Sequence, residues 1–419
     1  MNVMCDWHSM QPSFGRVLTI GTKLLTFYIL FLVLSGCTLA TPEQTPRETT
    51  TPPTTPPTLD DFWSGKARFE LEIADTGLPM GESDTVILSD GTWRSYVHAS
   101  HQSLGVVDQC GDPVEFPGCL VTFTSSDQGR TFAPTLSSEG AAVCQIACVR
   151  CPCDSRRDHI DQQQYPRIAR FPEEPKENES PQWLMVYEYR ANTILRRSND
   201  GITWSTPTEV PLTGIWRNWL MPCSDAAAVG DHPYTPTNYD CLVGSPPGIY
   251  VDAEVNPPEL YIFVGLGQNP SSMGCYRGYA NNPASLLRQC DHNPLFTGAT
   301  EYGPLEDTSG QAANAYFDFR TISSADIIRV GERYYLFYEG VRGPGPGDQG
   351  DTQFLLGLAR STTSAIDGPW ELYPENPILL DLPGNVGVGH ADVVVSEGET
   401  YLYTSLDGEK RSRLRLVWR

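Results

Sequence analysis

Two acids bracket one hairpin in the stretch SADIIRVGERYYLFYEG. Asp326 stands before a short apolar run, and Glu339 ends the aromatic-rich run after the turn. If both runs are antiparallel strands, the second returns to the edge where the first began, and the two carboxyls share a rim. Hydrolysis of a glycosidic bond needs such a pair. One carboxyl protonates the leaving oxygen while the other activates water or attacks the sugar; a separation of about 5 Å implies retention and roughly 6.5–9.5 Å inversion. The same geometry brings Asp84, Glu188, Arg190, Arg342, His390 and Asp392 to that rim, and Arg320 arrives just before the strand that Asp326 opens. Arg320 and Arg342 would orient a substrate or tune an acid. Trp216 and Trp219, in GIWRNWL, present faces on which a pyranose could stack. Each residue also has a plainer role to play. The aspartates can cap turns or bond neighbouring backbone, Glu339 can pair with Arg342, His390 can be a buried structural histidine, and the tryptophans can be packing.

The elements that would position these groups recur. An apolar strand, a polar turn and an aromatic-rich strand follow one another in DTVILSDGTWRSYVHAS, YPRIARF with its partner WLMVYEYR, PGIYVDAEVNPPELYIFVGLG, DIIRVGERYYLFYEG and DVVVSEGETYLYTS. The copies are spaced by roughly 80 residues, the last by fewer, and such self-similarity marks a repeat architecture. After the first two copies come SSDQGRTF and RSNDGITW, both Asp-box-like turns. In such turns the acid bonds its own backbone, Gly takes a positive φ and the aromatic seals the sheet. Each copy therefore supplies about four short antiparallel strands, and long helical periodicity is scarce. The pattern predicts an all-β fold, a five-bladed β-propeller with four-stranded blades. Two stacked sandwiches or a ring of six blades are the alternatives. The last copy ends after its third strand, SRLRLVWR, so ARFELEI (Ala67–Ile73) is expected to close the ring as the missing outer strand.

The motifs SDTVIL, SADIIRVGERYYLFYEG, GLARSTTSAIDGPWELYPENPIL and GHADVVV resemble the five-bladed propellers of glycoside hydrolase families 43 and 32. The resemblance spans nearly all of residues 67–419 and implies a glycan substrate and three axial carboxylates. It places the base at Asp84. The other two positions fall near Pro246 or Tyr165 and near Ser323, where no carboxylate stands, so Asp326 or Glu339 is expected to supply the acid. His390 resembles the last-blade histidine that lies near an axial metal ion in some members. An axial Ca2+ is therefore the one ion to expect, although the chemistry requires no cofactor. The alternative function is a non-catalytic surface glycan-binding protein; a protein-adhesion module is a third.

The chain carries a formal net charge of −22, which argues against a nucleic-acid partner. At the N-terminus, Arg16 and Lys23 precede the apolar run Leu24–Leu34, too short to span a bilayer but suited to a signal-peptide core. LSGC follows and resembles the bacterial lipobox, with Cys37 the acylated residue. Residues 1–36 are thus expected as a signal peptide, 37–62 as a Thr/Pro-rich tether in extended conformation and 63–419 as the propeller. The expected location is the outer face of a bacterial cell membrane, with the lipid as anchor and a monomeric domain beyond it. Ten further cysteines lie between Cys110 and Cys290. In an exported chain they read as disulfides, near neighbours suggesting Cys110–Cys119, Cys223–Cys241 and Cys275–Cys290. Cys144, Cys148 and Cys151 have a spacing used by iron–sulfur enzymes, but the exported context favours local disulfides there too.

Overall fold

The structure is a computed structural model. It describes residues 54–79, 81–98, 106–107, 113–114, 120–136, 164–171, 182–189, 192–205, 208–209, 246–266, 271–282, 288–300, 316–319, 321–342, 353–379, 390–405 and 410–419. Five antiparallel sheets form five blades. Each blade is entered through its innermost strand: Ser83–Ile87, Gln164–Phe171, Gly248–Asp252, Thr321–Val330 and Asp392–Ser396 for blades 1 to 5. The aromatic-rich runs are the second strands: Trp93–His98, Gln182–Tyr189, Glu259–Leu266, Arg333–Arg342 and Glu399–Ser405. Four blades are four-stranded; blade 3 gains a fifth strand, Phe296–Thr297, on its third strand Ser272–Tyr279.

The ring closes as the sequence predicts. Ala67–Ile73 pairs antiparallel with Arg411–Trp418, from Ala67 opposite Trp418 to Ile73 opposite Arg413. Beyond that strand the chain keeps hold of both ends. Thr76 donates from its backbone N–H (3.1 Å) and its hydroxyl (2.7 Å) to Arg411 O, and Phe132 N–H donates to Thr76 O at 2.8 Å. Blade 5 is thereby stitched to blade 1.

Five apolar clusters lie one in each junction between neighbouring blades. Trp93, Phe123 and Phe132 of blade 1 meet Val394, Tyr401 and Tyr403 of blade 5. Tyr96 and Leu120 meet Trp183, Met185 and Ile194 of blade 2. Blades 2 and 3, 3 and 4, and 4 and 5 are joined likewise. A strand buried on both faces explains the nearly continuous apolar runs, such as LYIFVGL, that a one-sided sheet would not need.

Both Asp-box turns form. Ser125 Oγ accepts from Gly129 N–H at 2.9 Å while Asp127 accepts from Thr131; Ser198 and Asp200 repeat the pattern with Gly201 and Thr203. Each turn also latches the preceding blade. Tyr403 of blade 5 donates its hydroxyl to Gly129 O at 2.8 Å, and Tyr96 of blade 1 donates to Gly201 O at 2.5 Å. Gly129 has φ +73°, and a methyl there would overlap the Tyr403 hydroxyl and the Trp93 ring, so the turn needs glycine for both reasons.

The expected boundary of the tether at residue 62 falls inside a short helix, Leu59–Trp63. Thr58 and Asp61 form a reciprocal capping box at its start. Leu59 and Phe62 are buried in the blade 4–5 cluster beside Phe69, Tyr335, Phe337 and Tyr373. The Arg360 guanidinium lies 4.1 Å from the Trp63 ring centroid. Among the described residues no helix is long and apolar enough to cross a membrane; Leu24–Leu34 and Cys37 lie outside them. Cys275 and Cys290 are bridged, tying the third strand of blade 3 to the segment after its fourth. The other cysteine pairs and the Cys144–Cys153 cluster lie outside the described residues.

Candidate active site at the propeller axis

The strand registers give the five blades a common axial position. In the innermost strands it is filled by Asp84, Arg167, Gly248, Asp326 and Asp392, which stand opposite Tyr96, Val186, Phe263, Phe337 and Tyr403. Each of the three aspartates reaches the next blade. Asp84 Oδ2 accepts the Ile168 N–H; Asp326 Oδ2 accepts the Val393 N–H at 2.6 Å; Asp392 Oδ1 accepts the Thr85 N–H at 3.1 Å. Asp392 also takes the hydroxyls of Ser83 and Thr85, each at 2.7 Å, and is fully buried. One oxygen from each of the three carboxyls lies within 4.8 Å of the others, and theirs is the one group among the described residues with spacing that suits a cation.

Arg167 supplies a cation to that cluster. Its guanidinium is buried, with Nη1 3.1 Å from Ser83 O and 3.8 Å from Asp84 Oδ1, and Nη2 donates to Ser324 Oγ at 3.1 Å. It thus extends from blade 2 to blades 1 and 4. Next to it in the ring, blade 3 carries Gly248. A β-carbon there would stand 2.6 Å from Ala325 O, so blades 3 and 4 approach too closely for a side chain at this step.

Burial pushes the Asp84 carboxyl well up; Arg167 works against that push, while Asp326 and Asp392 add to it. Burial likewise raises Asp326, to about 6, with Arg167 opposing and Asp392 reinforcing. Two carboxyls this close cannot both ionise cheaply, so they titrate as one coupled unit.

A second network sits two residues earlier along the innermost strands. Glu82 Oε2 meets His98 Nδ1 at 2.9 Å, and Glu82 Oε1 meets His390 Nε2 at 2.8 Å. His390 Nε2 is also 3.2 Å from Glu339 Oε2, yet that oxygen has no hydrogen bond, because the N–H is aimed at Glu82. His390 Nδ1 meets Ser324 Oγ at 3.1 Å. Burial opposes ionisation of Glu82, but His390 and His98 outweigh it and hold its carboxyl well down. Burial also opposes a charged His390; Glu339 and Glu82 overcome it and raise its pKa. Glu339 is raised, chiefly by burial, with His390 opposing. Tyr165, Ser324 and His390, each two residues before an axial residue, all have positive φ (54°, 51° and 59°). Non-glycine residues rarely adopt that backbone, and its repetition at one rim is the kind of local strain that collects at working sites.

Of the residues expected from sequence, Asp84, Asp326 and Asp392 meet at the axis, and Glu339 and His390 meet beside them. Glu188 is buried and occupies in blade 2 the register step that Glu339 occupies in blade 4. Arg342 ends the second strand of blade 4. Arg190, Arg320, Trp216, Trp219 and Cys37 lie outside the described residues. Arg167, Glu82, His98, Tyr165 and Ser324 are members of the site that sequence reasoning missed.

No protein-family model matches the chain, and no curated protein matches it. Solved structures do resemble it. An endo-arabinase from Bacteroides thetaiotaomicron is 12% identical, with 84% of this chain and 97% of that one covered at a TM-score of 0.45. The α-L-arabinanase of Cellvibrio cellulosa, complexed with arabinohexaose, is 15% identical over 83% and 94% of the two chains, with a TM-score of 0.45. An endo-1,4-β-xylanase from Bacteroides thetaiotaomicron is 12% identical over 82% and 92%, at 0.44. Likeness at this level says nothing about the chemistry of this chain.

Proposed function

We propose that the chain is a glycoside hydrolase that acts on an extracytoplasmic glycan through Asp84 and Asp326. The observation that carries this reading is the pair itself: two carboxyls from different blades, with oxygens within 4.8 Å and both pushed upward in pKa. One acid and one base side by side is the requirement for cleaving a glycosidic bond. The stronger upward push falls on Asp84, so Asp84 is the proton donor to the leaving oxygen. Asp326, half-buried and ionised above about pH 6, attacks the anomeric carbon. These roles exchange the base and acid that the family resemblance implied. A spacing this short matches the closer of the two carboxyl arrangements and favours a two-step, retaining reaction. After the glycosyl ester forms, the Asp84 carboxylate takes a proton from the water that hydrolyses it. Glu339, with its raised pKa and unbonded oxygen, stands ready behind this pair as the other acid of the site.

Leaving-group dependence tests the assignment. Asp84→Asn should cut cleavage of unactivated glycans on the order of 10²–10⁴-fold while sparing dinitrophenyl glycosides, whose leaving group needs no proton. Asp326→Asn should abolish cleavage of both. Wild-type activity in both variants on both substrates would remove the pair from the mechanism.

One observation favours a second reading, glycan binding without catalysis. Each axial aspartate already bonds the next blade's backbone, a task the ring needs whether or not any bond is cleaved. A wild-type protein that binds glycans but cleaves none of an aryl-glycoside panel would establish it.

The same proposal places the domain outside the cytoplasm on a lipid at Cys37. The apolar run before LSGC supports this, as does the Cys275–Cys290 bridge, a bond of oxidising compartments. Labelling with a fatty-acid probe in a bacterial host should mark the wild type and not Cys37→Ser; equal labelling of both would refute the anchor.

A further inference from the structure

We infer that the Arg167 guanidinium is the resident cation of the propeller axis, standing where a divalent ion would otherwise neutralise Asp84, Asp326 and Asp392. This does not rest on the glycosidase reading; it concerns what balances charge in the ring.

Three facts carry it. First, Arg167 occupies the same register step as the three aspartates, so the fold itself delivers its side chain to the ring. Second, the guanidinium is anchored for that place. Ser83 O, Ser324 Oγ and Asp84 Oδ1, from the two blades beyond its own, lie 3.1, 3.1 and 3.8 Å from its terminal nitrogens. Carboxylates whose oxygens lie within 4.8 Å of one another repel, and with two of the three buried the group favours a counter-charge beside it. Third, the histidine that the family resemblance offers to an axial metal does not fit that task here. Both ring nitrogens of His390 already face partners, Nδ1 with Ser324 and Nε2 with Glu82 and Glu339. A metal ligand must present a free lone pair, and with both nitrogens turned to these partners neither is left to face an ion. Arg167 thus gives the axis a built-in positive charge, and the ring has no need to recruit an ion from the medium.

Calcium titration of the full chain tests this without reference to activity. For the wild type, 5 mM CaCl2 and 5 mM EDTA should give the same thermal midpoint, and calorimetry should show no stoichiometric Ca2+ binding. In Arg167→Ala the three carboxyls lose their counter-ion and gain room; the midpoint should fall, and Ca2+ should restore part of the loss. Arg167→Lys should stay insensitive to the ion. One equivalent of Ca2+ bound by the wild type, or a midpoint lowered by EDTA, would overturn the inference, as would an Arg167→Ala protein indifferent to Ca2+. If Arg167→Ala does not fold, the wild-type titration still decides. A wild type that is inert on glycosides would remove the hydrolase reading and leave this one standing.

Discussion

A chain beginning at residue 74 should fail to fold, whereas one beginning at residue 57 should fold as the full-length protein does. The shorter form loses the strand Ala67–Ile73, which is the outer strand of blade 5, and the helix Leu59–Trp63 that packs beneath it. Leu59, Phe62, Ala67 and Phe69 are all buried in the blade 4–5 cluster. The three larger side chains contribute about 1.5–3 kcal/mol each. Their loss alone approaches the 5–15 kcal/mol that holds an ordinary domain together. The truncation also strips the ladder from Arg411–Trp418 and exposes a strand edge in its place. It removes Glu72, the carboxylate that pairs with Arg413 Nε at 2.8 Å, leaving a guanidinium only 1% exposed without its acid. An open ring distributes that damage, because every blade is held by two neighbours and the junction between blades 4 and 5 would be breached. The longer form keeps the Thr58 capping box and loses little more than the exposed bond from Trp418 Nε1 to Thr55 O. Near-ultraviolet circular dichroism and urea unfolding of the two forms provide the check. A cooperative transition at the wild-type midpoint in the shorter form would show that closure by this strand is dispensable.

That closure was legible in the sequence because both halves of it are plain patterns: five repeated hairpins, the last one strand short, and an alternating strand left over at the start. The Asp-box turns were legible for the same reason, since their chemistry is local. Other features depended on partners that no local pattern names. Leu59 and Phe62 look like stray apolar residues at the end of a Thr/Pro-rich run, and only the blade 4–5 junction gives them a place. The five-residue helix is too short to announce itself by periodicity, although Thr58 and Asp61 carry its capping signal. The carboxyl cluster was half visible. Asp84, Asp326 and Asp392 open their strands at the same step and were expected at one rim. Arg167 was missed because a search for acids passes over it. Aligning SDTVI, PRIAR, PGIYV, ADIIR and ADVVV would have shown it in the aspartate column of the second copy, with Gly248 in the third. Glu82 and His98 have no such signal, since their importance lies in meeting His390 from another blade.

Neutralising Asp326 should stabilise the protein at pH 8 and leave it unchanged near pH 4, while destroying the activity proposed for it. The sign follows from linkage. The folded Asp326 titrates at about 6 against an ordinary value of 3.8. Between those values the folded chain holds a proton that the unfolded chain has released, so stability falls as pH rises through that window and then levels off. That rise corresponds to roughly 3 kcal/mol, an upper bound because Asp84 and Asp392 share the same field. Asp84 and Glu339, also raised, slope in the same direction. His390 adds to it: its raised pKa gives stability that is complete below its unfolded value and is lost as pH climbs through the folded one. Glu82 opposes them, but only in acid, because its depressed carboxyl loses stability as pH falls below the ordinary range. Asp326→Asn keeps the shape and lets Oδ1 of the amide accept the Val393 N–H, so it mimics the protonated acid. Its stability should match the wild type at pH 4 and exceed it increasingly toward pH 8, by up to a few kcal/mol in urea unfolding. A variant weaker than the wild type at pH 8 would mean that Arg167 holds Asp326 ionised in the folded chain. The upward push of burial on Asp326 would then be fully offset, while the hydrolytic reading, which needs Asp326 ionised and the proton on Asp84, would stand.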